Sequence, residues 1–291
     1  MIERGGYPTA PEIKDKKNLQ RSLLAPLAAN IVVHFAGKGL LPEERKILKD
    51  RVQRILCGEK LVASKEGPPI YESHRSKMLW DGEEKIPESG ATILIANHTR
   101  GGPFYDMGQF FDTARVVHNG RSAVEDEYIR EPYFIVQRGF NHTVKIGRIK
   151  LHVPLSGFLT GQLYELVAKS INWELVSPPK FNKGGQIVNR QELPISAIRR
   201  LDSGGAMIWC PQGKHRDDLN FPQKAGDFLF RMRDKDIQLV PMRVIRKDQD
   251  LLYLLLGKPI HVQDLPVTDG GVNINDFVQA HIAPLGKNLT V

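Results

Sequence analysis

The sequence predicts an α/β fold in which a mostly parallel central sheet is flanked by helices, with an amino-terminal helical segment in front of it. Three observations predict this. From Thr92 onward short β-rich runs alternate with helical patterns, which is the texture of strand–helix–strand units. The first sixty residues carry helical spacing. The chain has 291 residues, 41% hydrophobic and 25% charged, and at this length a soluble globular chain buries roughly 75% of its unfolded surface.

Taken in order, Leu23 to Ala36 is apolar-leaning but only fourteen residues long and contains Pro26, Asn30 and His34, whereas a spanning helix needs about twenty apolar residues. It reads as a core helix, with a membrane-interface helix as the second reading. Pro42-Glu43-Glu44 opens a second helix that ends at Gly58, with proline and acids at the start and glycine at the stop. Its Ile47, Leu48, Val52, Ile55 and Leu56 share one face. Arg45, Lys46, Lys49, Arg51 and Arg54 make the rest basic, a solvated face first and a lipid contact through residues 23–56 second. The polar stretch Ala63 to Gly90 reads as a connector or long surface loop without chemistry of its own. The organisation expected is therefore 1–62 helical, 63–90 connecting and 91–291 an α/β domain.

Within that domain strands are predicted at 92–96, 115–118, 186–188, 206–210, 237–245 and 251–256. The last two adjoin across the polar Arg246 to Asp250 turn, as an antiparallel hairpin at one edge of the sheet. Helical spacing joins Phe158, Leu159, Leu163, Leu166, Val167 and Ile171, and a closing helix is predicted near Ile274 to Ile282.

Forty-one Lys plus Arg against thirty-three Asp plus Glu leave a formal charge of +8, which favours anionic partners. Cys57 and Cys210 are too few for a disulfide framework, and no Cys/His cluster has zinc spacing, so no metal and a reducing compartment are expected. The amino terminus lacks the cationic start and apolar run of a signal peptide, and a cytoplasmic location is expected. Gly37-Lys38-Gly39 lacks the rest of a phosphate loop, and neither G-x-G-x-x-G after a strand, H-E-x-x-H nor G-x-S-x-G occurs. Without an aromatic-interleaved basic stripe, nucleic acid is not the expected partner.

Two segments stand out, each at the end of an apolar strand, where α/β sheets present ligands. After Ile93 to Ala96 come Asn97, His98, Arg100, Gly101, Gly102, Pro103 and Asp106. A histidine with an acid a few residues on suits a base whose imidazole a carboxylate orients. After Ala206 to Cys210 come Pro211, Gln212, Gly213, Lys214, His215 and Arg216, then Phe221 to Gly226. Backbone donors beside glycine and the cationic side chains can converge there on a phosphate or an oxyanion. Read alone, each has a plain structural alternative: a hydrogen-bonded strand-end histidine, and solvated loop charges.

In order and together, these segments resemble the glycerolipid acyltransferase family, the glycerol-3-phosphate and lysophosphatidic acid acyltransferases. Family blocks of the form N-H-x-x-x-x-D, G-x-I-F-V-D-R, F-P-E-G-T-R-S, F-K-x-G and V-P-V are matched in sequence by Asn97-His98, Gly185 to Arg190, Cys210 to Gly213, Phe221 to Gly226 and Leu239 to Met242. Leu256 to Ile260 is similar to the terminal G-x-P-I segment. The resemblance spans residues 88 to 262, about 60% of the chain.

Departures accompany the matches. The family's acid falls at Pro103, and the nearest downstream acid is Asp106, eight positions after His98; it can serve only if the Gly101-Gly102-Pro103 loop bulges and returns it, with Asp112 a weaker substitute. The glutamate of the second signature is Gln212, and Lys214, His215 and Arg216 stand at its threonine, arginine and serine positions, leaving open which of them is the anion ligand. The long interval between His98 and Arg190 implies an insertion around Pro154 to Lys183, whose apolar helix, with Trp173 nearby, either roofs an acyl groove or packs in the core.

The resemblance implies that His98 is a general base taking the proton of an acceptor hydroxyl as it attacks a fatty acyl thioester, with Asp106 fixing the imidazole. Backbone amides beside Gly213 would hold the oxyanion, and Arg190, Lys214 and Arg216 an acceptor phosphate, with Arg100 adding positive charge beside the site. The donor would be acyl-CoA or an acyl-carrier protein and the acceptor a phosphorylated or lipid hydroxyl, with no separate cofactor. The location implied is cytoplasmic or peripheral on the cytoplasmic membrane face. The alternative is a non-catalytic member of the same fold, binding lipid or a protein partner through its basic surface, as the displaced acid and Gln212 would suit. Cys210 reads as a small buried hydrophobe ahead of a nucleophile.

Overall fold

The computed structural model describes residues 40–75, 78–97, 103–137, 141–146, 149–154, 173–176, 195–211, 219–247, 251–268 and 271–287, with positions 26, 29, 30, 33, 34 and 171. Helix α1 is Pro42–Leu56. Its amino-terminal leucine cap has no side-chain acceptor, so the capping falls to Glu44, whose carboxylate accepts from the Leu41 amide at 2.9 Å and from Ser73 N at 2.7 Å. Gly58, at φ 83°, follows its last turn. Leu48, Val52, Ile55 and Leu56 are buried on the predicted face, and Ala29 and Val33 from the preceding segment join the same core. Arg54 pairs with Glu59 and Glu66, and Arg51 with Glu66, so part of the basic face is matched within the chain.

Residues 63–90 add more than a connection. They form α2 (Ala63–Glu66), α3 (Glu72–Arg75) and strand β1 (Met78–Asp81), and bury Ala63, Ile70, Tyr71 and Met78. Ser64 donates from its amide and hydroxyl to the buried Glu131 at 2.8 and 2.6 Å, fastening this stretch to the chain ahead of a later strand.

Strand β2 (Ala91–Ala96) is followed by α4 (Pro103–Gly120), α5 (Glu127–Arg130), β3 (Tyr133–Gln137), the antiparallel pair β4 (Asn141–Ile146) and β5 (Ile149–Pro154), and β6 (Trp173–Val176). Then come α6 (Ile195–Asp202), β7 (Ala206–Trp209), α7 (Gln223–Arg231), β8 (Ile237–Arg246), β9 (Leu252–Leu256), β10 (Ile260–His261), the short pair β11 (Val267–Thr268) and β12 (Gly271–Val272), and α8 (Ile274–Phe277), which runs into a π-helical turn to Ile282.

The central sheet has the order β1-β9-β8-β2-β7-β3-β6, with β10 pairing on β8. All neighbours from β8 through β6 are parallel, and β9 is antiparallel to β8. Strand β2 is apolar from Ile93 to Ala96 because both its faces are covered: Leu94 and Ala96 enter the core beneath α1 and α4, while Ile93 and Ile95 enter the core beneath α6, α7 and α8. The result is a mostly parallel sheet between two helical layers.

Several sequence expectations change. Residues 115–118 belong to α4 rather than to a strand, because Phe111, Ala114 and Val117 continue one buried helical face that overrides the β preference of the two valines. The β8–β9 hairpin forms but lies inside the sheet, since β1 pairs in parallel with the far side of β9. The Phe221 to Gly226 block leads into α7, which begins at Gln223 after the Pro222 cap. Gly226 is there for clearance, because a Cβ would stand 2.0 Å from the Val272 carbonyl oxygen. The predicted strand at 186–188 and helix at 158–171, apart from Ile171, lie outside the described residues.

The end of the sheet where β2 begins is closed by Arg121, fully buried, whose guanidinium donates to Thr92 Oγ1 at 3.1 Å, to the Gly90 carbonyl at 3.0 Å and to the Gly204 carbonyl. Burial pushes its pKa down to about 10, which still leaves it charged at neutral pH.

Candidate functional site

Parallel pairing fixes which strand ends meet. Ile95 stands opposite Trp209 on one side and opposite Pro241 on the other. The segment beginning at Asn97 and the one beginning at Cys210, more than a hundred residues apart in sequence, therefore leave neighbouring strands at one level of one crest. Helices α4 and α7 both start at this crest, directing their positive dipole ends toward it.

Asn97 is a buried polar residue in this region. It is 3% exposed. Its Nδ2 donates to the Val244 carbonyl at 2.9 Å, and its Oδ1 accepts from the Val244 amide at 2.8 Å. The two bonds fix which end of the carboxamide is oxygen and which nitrogen. The motif reading gave Asn97 no role of its own, although a carboxamide directly after an apolar strand is a signal that can be read.

Pro103 occupies the first position of α4, where its missing N–H leaves no bond unmade. Asp106 thus belongs to the helix's first turn, and residues 97–102 separate β2 from α4. His98, Arg100, Arg190, Gln212, Gly213, Lys214, His215 and Arg216, like the side chain of Asp106, lie outside the described residues.

Asp112, the substitute acid, is engaged elsewhere. It accepts from Trp80 Nε1 at 2.6 Å and Arg115 Nε at 2.8 Å, tying α4 to β1. Cys210 is half-buried and packs on the core beneath α4. Trp173 is 4% exposed and sits among Phe110, Phe111 and Phe134 with ring centroids 5.3–5.8 Å apart, which makes it a core residue.

On the other face at the same level, Arg243 donates to the Ala283 and Leu285 carbonyls, both at 2.6 Å, and pins the carboxy-terminal segment to β8. Desolvation draws its pKa below the usual guanidinium value. Among the described residues no group of three His, Cys, Asp or Glu is placed to hold a metal ion, and no helix is long and apolar enough to cross a membrane.

No family model matches the chain, and no curated protein does. Among solved structures it is similar to the 1-acyl-sn-glycerophosphate (LPA) acyltransferase PlsC from Thermotoga maritima, at a TM-score of 0.44 and 14% identity over 94% of this chain and 100% of that one. Likeness at that level leaves the assignment of function to the chain's own residues.

Proposed function

We propose that the protein is an O-acyltransferase that moves a fatty acyl group from a thioester donor, acyl-CoA or acyl-carrier protein, to a hydroxyl of a glycerol-phosphate or lysophospholipid-like acceptor. The observation that carries this reading is the convergence of two motif blocks: Asn97-His98 and Cys210 to Gly213 leave adjacent parallel strands at the same level, Ile95 opposite Trp209.

In this reading His98 accepts the acceptor's hydroxyl proton as the oxygen attacks the thioester carbonyl. The C–O bond forms, the carbonyl π electrons move to oxygen, and backbone amides beside Gly213 hold the resulting oxyanion. The intermediate collapses with cleavage of the C–S bond, and the departing thiolate takes the proton back from the imidazolium. Asp106, on the first turn of α4, orients the imidazole. Arg100, Arg190, Lys214, His215 and Arg216 supply the positive charge for phosphate groups, and Gln212 contacts the acceptor by hydrogen bonds. Docking on a lipid surface falls to the solvent side of residues 23–56, where Leu41, Arg45 and Lys46 are exposed.

His98→Ala should lower turnover by about 10²–10⁴-fold, the usual contribution of a positioned base, with the thermal midpoint unchanged. The rival reading, a non-catalytic lipid- or protein-binding member of the fold, draws on Pro103 and Gln212 at positions where the family pattern has acids. It predicts lipid binding without any release of thiol from acyl thioesters.

A further inference from the structure

We infer that Asn97 is a positioning residue for His98, an inference that rests on the acyl-transfer reading. Backbone pairing between β2 and β8 ends with Ala96 opposite Met242. Two residues further along β8, the amide and carbonyl of Val244 face the place where the next step of β2 would pair, and the Asn97 side chain takes both, at 2.8 and 2.9 Å. A carboxamide presents one donor and one acceptor in the same plane as a peptide group, so it can stand in for one rung of the ladder. The side chain thus makes that rung beyond Ala96, where backbone pairing of β2 with β8 ends. The peptide that follows is that of His98.

The anchor is firm. Val244 is held from its other side by pairing with Leu254 on β9, which itself pairs with Trp80 of β1. Asn97 is 3% exposed, so water does not compete for either bond. Asn97 and His98 are consecutive, so a fixed Asn97 restrains the backbone that leads into His98, and through it the base of the acyl-transfer reading. Asn97 does not touch the reacting atoms and acts only through His98.

The test is a double-mutant cycle in the full-length protein, with acyl transfer measured for wild type, Asn97→Ala, Asn97→Asp, His98→Ala and the two double variants. Asn97→Asp preserves shape and the bond from the Val244 amide while removing the donor to its carbonyl, so it covers the case in which the alanine variant does not fold. The expected result is a fall in kcat of about 10²-fold, as for a misplaced catalytic group, with KM within about twofold. In the His98→Ala background neither Asn97 substitution should lower the rate further. A merely structural asparagine would lower the rate by the same factor in both backgrounds, and that result would overturn the inference. Unchanged kcat in folded Asn97 variants beside an inactive His98→Ala would overturn it too, while leaving the acyl-transfer reading standing. Wild-type activity in His98→Ala would remove both.

Discussion

Arg121 is a buried charge held by neutral groups: two carbonyls and a threonine hydroxyl accept hydrogen bonds from its guanidinium. Hydrogen bonds from a charged donor are worth about 1.5–3 kcal/mol, so Arg121→Met, which removes all three of these bonds, should destabilise the fold by about 3 kcal/mol in a denaturant titration. Burial also acts on His281, lowering its pKa beneath the ordinary value of 6.5, with its ring 5.1 Å from that of Phe277. A histidine whose folded pKa is depressed binds its proton more readily unfolded, so its contribution is intact above pH about 6.5 and is lost as pH falls through the folded value. The thermal midpoint of the wild type should therefore drop more steeply than that of His281→Gln on acidification below that pH. Parallel profiles would count against this account.

At the scale of elements, legibility in the sequence followed burial. Strands β2, β7, β8 and β9 are covered on both faces or nearly so, and such strands read as predominantly apolar runs, interrupted only at positions such as Thr92, Gln238 and Arg243. Strand β1 escaped because it is an edge strand: Leu79 is 43% exposed, Asp81 faces solvent, and its pairing depends on β9, some 170 residues away. Tyr133 to Gln137, which forms β3, carries a β-rich pattern although it is not among the predicted strands. Val116 and Val117 failed in the opposite sense, since a buried helical stripe outweighs the preference of two residues. A motif-block glycine, Gly226, lies where α7 packs against β12. Gly226→Ala would drive a methyl into the Val272 carbonyl, and overpacking of this kind costs about 1–3 kcal/mol. The expected outcome is a lower denaturation midpoint without loss of the acyl-transfer step.

For the whole molecule, sequence order and spatial order had to be joined before the candidate site could be located. The motif blocks could be read at Asn97-His98 and at Cys210 to Gly213, but not their adjacency, which depends on β7 inserting beside β2 after a crossover of more than a hundred residues. Nor was the Asn97 to Val244 link legible, because its partner is 147 residues away and offers only backbone atoms. The same topology places the starts of α4 and α7 at one crest, a setting suited to anionic substrates and consistent with a net charge of +8. The central claim is that His98 activates an acceptor hydroxyl at this crest. It is tested most directly by the rate of thiol release from a long-chain acyl-CoA and from an acyl-carrier protein, measured with glycerol phosphate or lysophospholipid acceptors, for wild type and His98→Ala. Acceptor-dependent release by the wild type, lowered about 10²–10⁴-fold in a folded His98→Ala, is the predicted result; equal rates for the two proteins, or no acceptor-dependent release by the wild type, would contradict it.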